Sequence, residues 1–140
     1  GQFERIAFLD DHSPTAVGRL DAFDRFTSEF DHAVVAIGNV DMRLRLLGRL
    51  ADAGYQLPVL IHPKASVSPS AVIGDGSFIE PMTVIHTDVK IGSGCIISAG
   101  SIVNHNAVIG AGCHLNCGAI VKARAEIAAC TYIDYGQIIG

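Results

Sequence analysis

Residues 91–115 read IGSGCIISAGSIVNHNAVIGAGCHL, and every sixth residue of that stretch (Ile91, Ile97, Val103, Ile109, Leu115) is a branched aliphatic. Counting outward adds Ile61, Val67, Ile73, Ile79 and Ile85 before it and Val121, Ile127, Ile133 and Ile139 after it, fourteen positions without exception. Four residues past each stands a small side chain, as in Ala65, Ser77, Cys95, Ser101, Ala107, Cys113 and Ala119; Gln137 departs. A period of six is neither the 3.6 of a helix nor the 2 of a plain strand. It suits one short strand plus a corner, with three such sides closing a triangular coil of 18 residues. The aliphatic residue then points inward, and the small one fits where the walls approach. Successive coils stack like parallel strands about 4.8 Å apart. Residues 61–138 make thirteen sides, a little over four coils. Gly74, Gly92 and Gly110 are expected to supply the backbone freedom of the corners. Ile139-Gly140 opens a further side without the polar cap that a solenoid end needs, so the natural chain is expected to continue.

Upstream, Arg5-Ile6-Ala7-Phe8-Leu9 and Ala33-Val34-Val35-Ala36-Ile37 read as two buried strands, the first closed by Asp10-Asp11 and the second by Gly38-Asn39. Leu20 to Phe26 is a short helical candidate. Asp41 reads as an N-cap, Met42, Leu46, Leu47 and Leu50 keep helical spacing, and Gly54 is a stop. Strand–helix–strand–helix order predicts a small α/β unit over residues 1–57, Rossmann-like but incomplete, followed by the β-helix over residues 58–140. Ligands of such a unit sit beyond the carboxyl ends of the strands, at Asp10-Asp11 and Gly38-Asn39.

Composition narrows the function. Net charge is −4 with no basic stripe, which argues against a nucleic-acid partner. Mean hydropathy is +0.38, yet no apolar run reaches the roughly 18–20 residues of a spanning helix, so a soluble cytoplasmic protein is expected. Cys95, Cys113, Cys117 and Cys130 show neither CxxC nor zinc-finger spacing and read as reduced thiols used as small apolar residues. No histidine pair has a metal-ligand spacing, so no metal is expected.

Wrapping the chain by 18 stacks Pro69, Thr87, His105 and Ala123 in one column and Ser70, Asp88, Asn106 and Arg124 in the next. His105 has small neighbours above and below and would line a groove. It is either a surface histidine at a coil corner or a general base, for which an imidazole titrating near neutral pH is suited. His114 shares a column with Phe78, Ile96 and Tyr132, an apolar and aromatic strip.

The order of parts resembles the bacterial UDP-4-amino-sugar N-acetyltransferases, with the sialic acid O-acetyltransferases close by. The resemblance is carried by Phe8-Leu9-Asp10-Asp11, by Ala36-Ile37-Gly38-Asn39 with Arg43, by Leu60-Ile61-His62-Pro63-Lys64-Ala65, and by Val103-Asn104-His105-Asn106-Ala107-Val108-Ile109-Gly110. It implies a left-handed coil, a homotrimer, acetyl-CoA as co-substrate and a UDP-linked amino sugar as acceptor. It implies that His105 is the general base, that Asp10, Asp11, Asn39 and Arg43 serve the nucleotide sugar, and that His114 faces the thioester between neighbouring subunits. Two positions depart from the family. Asn106 stands where an acidic residue usually follows the histidine, so Asp88, one coil away, is expected to supply that carboxylate. Ala123 stands where a glycine N–H usually binds the acetyl carbonyl. O-acetylation of a sialic acid or related sugar, and a non-catalytic trimeric scaffold, are the alternatives.

Overall fold

The computed structural model describes residues 3–140. Among them, fourteen two-residue strands stack into three parallel sheets, the faces of a triangular prism. The first face holds Leu60–Ile61, Phe78–Ile79, Ile96–Ile97, His114–Leu115 and Tyr132–Ile133. The second holds Ser66–Val67, Val84–Ile85, Ile102–Val103, Ile120–Val121 and Ile138–Ile139. The third holds Val72–Ile73, Lys90–Ile91, Val108–Ile109 and Glu126–Ile127. Each strand pairs with the one 18 residues on, Ile79 beside Ile97 and Ile97 beside Leu115. The sixfold period is therefore one side of a coil, as expected.

The periodic aliphatics fill the prism. Ile97, Val103, Leu115, Val121 and Ile133 have no exposed surface, and each contributes roughly 1.5–3 kcal/mol by burial. The small residues are enclosed beside them, and the polar ones are satisfied by the next coil. Ser77 Oγ donates to the Gly92 carbonyl at 3.1 Å and Ser101 Oγ to that of Asn116 at 2.9 Å. Cys95 and Cys113 are buried here as stacked thiols; the contact with Cys113, together with burial, pushes the Cys95 thiol up.

Gly74, Gly92 and Gly110 serve a purpose other than the expected one. None has a positive φ. A Cβ on Gly92 would lie 2.5 Å from the Ala111 backbone nitrogen, and Gly74 and Gly110 meet the next coil in the same way. What they supply is room for close backbone approach. The left-handed angles fall two residues later, at Gly76, Gly94 and Gly112.

Helix α1, Val40–Asp52, lies against that glycine column. Its N-cap is Asn39, not Asp41: Asn39 Oδ1 accepts the Met42 N–H at 2.9 Å, and Asp41 falls in the first turn. Gly54 (φ +93°) ends it, with Gly54 N–H donating to Ala51 O and Tyr55 N–H to Leu50 O. Leu47 sits on Gly76 and Gly94, and Leu44 on Gly94 and Gly112. Leu46, Leu47 and Leu50 also join Phe23, Val35 and Tyr55 in a second, smaller core. Residues Leu20–Phe26 form a 3₁₀ helix.

The two expected buried strands are not strands here. Residues 5–9 and 33–37 are extended, but they carry no ladder, and the isolated bridges join Leu9 to Gly18 and His32 to Gln56. Without a paired neighbour, alternate side chains face solvent: Ile6 is 83% exposed, Phe8 51% and Val34 45%.

Candidate active site

His105 occupies the corner between the second and third faces, directly after the strand Ile102–Val103. Its ring is half-buried, and Nδ1 lies 3.0 Å from Asn106 Oδ1. With the amide oxygen accepting, the ring proton sits on Nδ1 and Nε2 carries the lone pair. The corner itself sets this geometry. Asn106 takes φ 60°, a conformation asparagine tolerates better than most residues, and its N–H donates to Thr87 O one coil back at 3.0 Å. Asp88 does not orient the imidazole as expected. It holds the equivalent corner one coil away (φ 57°), where its N–H donates to Ser70 Oγ, and the bond to His105 is made by Asn106 instead. A residue adjacent in sequence reaches Nδ1 more directly than one on the neighbouring coil.

Ala123 stacks one coil beyond His105, and the Arg124 N–H next to it donates to His105 O at 3.0 Å. Among the described residues the Ala123 N–H has no acceptor, because this position of the corner points its amide out of the ladder.

His114 lies on the first face, the side of the triangle opposite the His105 corner. Its Nε2 is 3.3 Å from Ser98 Oγ, and its ring meets Tyr132 edge-on at 5.4 Å. Burial, then the charge of Arg43, hold its pKa below the ordinary value, while Glu80 opposes them. Ser98 and Glu80 were not singled out in the sequence. They stand two residues after Ile96 and Phe78, so the 18-residue wrap that found the His114 column also contains them.

Of the residues expected to serve the sugar nucleotide, Asp10 and Asp11 are exposed at the end of the first extended segment. Asp10 Oδ1 accepts the His12 and Ser13 N–H groups, each at 2.7 Å, which lowers its pKa. Asp11 Oδ1 accepts the Leu20 N–H and lies 3.7 Å from Arg19 Nε. Asp11 also lines a hollow of about 180 Å³ with Arg19, Arg45 and Arg49 between the 3₁₀ helix and α1. Asn39 is exposed above the start of α1. Arg43 is not available to a ligand. It has no exposed surface, and its guanidinium donates to the carbonyls of Gly94 (2.8 Å), Ile37 (2.8 Å), Gly38 (2.9 Å) and Gly112 (3.0 Å).

Residues 70–105 of this three-sided parallel coil match the family described as bacterial transferase hexapeptide (six repeats). Nearly the whole chain is similar to solved structures that include a perosamine N-acetyltransferase and an acetyltransferase domain. A histidine-to-asparagine variant of perosamine N-acetyltransferase from Caulobacter crescentus, in complex with CoA and GDP-perosamine, superposes with a TM-score of 0.87 at 26% identity, over 96% of this chain and 76% of that one. The acetyltransferase domain of PglB from Neisseria gonorrhoeae FA1090 superposes with a TM-score of 0.73 at 27% identity, over 99% and 80%. WeeI from Acinetobacter baumannii AYE, at 22% identity and a TM-score of 0.74 over 98% and 81%, shares the fold.

Proposed function

We propose that this protein transfers the acetyl group of acetyl-CoA to the amine of a nucleotide-linked amino sugar. The observation that carries the reading is the half-buried imidazole of His105, held through Nδ1 by Asn106, on a chain similar over 96% of its length to an enzyme solved with CoA and GDP-perosamine. Nε2 takes a proton from the sugar amine as its nitrogen attacks the thioester carbonyl. The Ala123 N–H receives the developing oxyanion. The C–N bond forms, the C–S bond breaks, and coenzyme A leaves as its thiol, taking up a proton.

In this reading residues 1–57 are the nucleotide-sugar unit, with Asp10, Asp11 and Asn39 toward the ligand, and residues 58–140 are a left-handed acyltransferase coil. The active assembly is a cytoplasmic homotrimer. Its support is geometric: within one chain His114 faces away from the His105 corner, and α1 docks at a third position, the corner between the third and first faces. Only a neighbouring copy brings His114 and the thioester beside His105. The outward side chains Val84, Ile102, Ile120 and Ile138 on the second face offer an apolar strip for that contact.

Incubation with acetyl-CoA and a panel of UDP- and GDP-linked amino sugars, read as thiol release, tests the reading. His105→Ala is expected to cost about two to four orders of magnitude in kcat. Undiminished turnover by that variant would reject the assignment.

A further inference from the structure

Arg43 carries a charge into a site with no exposed surface, and among the described residues it forms no ion pair. Burial lowers its pKa from the ordinary arginine value. A buried charge is costly unless its donors are well matched, and an apolar side chain of similar volume often serves stability as well. What the guanidinium does that an apolar group does not is reach four carbonyls at once. On one side these are Ile37 and Gly38, immediately before Asn39. On the other they are Gly94 and Gly112, the same corner of two successive coils. Gly112 is two residues before His114, and Gly94 is four before Ser98, the hydrogen-bond partner of His114.

We propose that Arg43 is a positioning residue for the transfer reaction, clamping the Gly38–Asn39 loop and the Gly94 and Gly112 corners into one frame. It touches neither substrate. It sets the distance and angle between the loop that faces the nucleotide sugar and the rung edge that faces the thioester. The inference rests on the acetyltransferase reading, in which Asn39 and His114 are the ligand-facing groups at the two ends of the clamp.

Arg43→Lys keeps the charge but cannot reach four carbonyls from three separate nitrogens, and Arg43→Met keeps the bulk alone. In both full-length variants KM for the nucleotide sugar and KM for acetyl-CoA are expected to rise together, by about tenfold or more, with kcat much less affected. His105→Ala shows the reverse pattern. NMR titration of His114 adds a readout of the Arg43 charge, which lowers the ring's pKa after burial does. The charged or titratable groups around that ring are Arg43 from α1 and Glu80 and Tyr132 from the first face. The His114 midpoint is expected to climb toward its ordinary value in Arg43→Met and to stay low in Arg43→Lys.

Unchanged KM values in folded variants, or a rise for one substrate alone, overturn the clamp. Loss of the coil signal by circular dichroism in both variants overturns it too, since Arg43 would then be a requirement of the fold and nothing more. If the unaltered protein releases no thiol with any acceptor, the acetyltransferase reading fails separately, and calorimetric Kd values for coenzyme A and for UDP or GDP then judge the clamp by the same paired weakening.

Discussion

His105 and His114 are both half-buried imidazoles on the same coil, and their partners give them different chemistry. Asn106 accepts from Nδ1 of His105 and leaves Nε2 free; Asn106→Ala removes that acceptor and lets the ring rotate. It is expected to lower kcat by about tenfold with KM little changed, in steady-state thiol-release assays. The pKa of His114 is lowered by burial and then by the charge of Arg43. A histidine with a lowered folded pKa binds fewer protons folded than unfolded as pH falls below its ordinary 6.5, so the stability it contributes above that pH is lost on acidification. Unfolding free energy measured against pH should fall across that interval, and His114→Gln should flatten the fall.

At the level of elements, the coil tolerates no Cβ where backbones of successive turns meet. Gly92→Ala would press its methyl against the Ala111 backbone nitrogen. Main chain cannot swing aside as a side chain does, so a loss of about 1–3 kcal/mol is expected, seen as a lower urea midpoint with the m-value unchanged. Helix α1 depends on the neighbouring glycine column, two residues later: Leu47 fits over Gly76 and Gly94 because those residues lack side chains. Leu47→Ala should cost about 2–5 kcal/mol and lower Tm. The helix was legible in its leucine spacing and its glycine stop. Its cap was not, because Asn39 and Asp41 are both good capping residues two positions apart, and the choice fell to the carbonyls of Ile37 and Gly38, which Arg43 holds.

For the whole molecule, the prism places His105 at one corner and His114 on the face opposite it. The second face, next to the His105 corner, presents the apolar strip of Val84, Ile102, Ile120 and Ile138, whereas the third presents Lys90 and Glu126 among its outward residues. Ile120→Glu places a charge in the middle of the apolar strip. Sedimentation should show the unaltered protein as a trimer and the variant as a monomer, with coil circular dichroism retained and thiol release abolished.

The amino-acid sequence by itself determined the coil: an aliphatic at every sixth position admits one way of hiding those side chains, and its register places His105 and Asn106 together at a corner without further information. Tertiary structure decided everything that depends on a contact between distant segments. Arg43 looked like a ligand-facing residue because sequence does not record burial, and its carbonyl partners lie 51 and 69 residues away on separate coils. The extended stretches 5–9 and 33–37 have the composition of buried strands, but a strand is made by a neighbour that completes its hydrogen bonds, and composition cannot supply one.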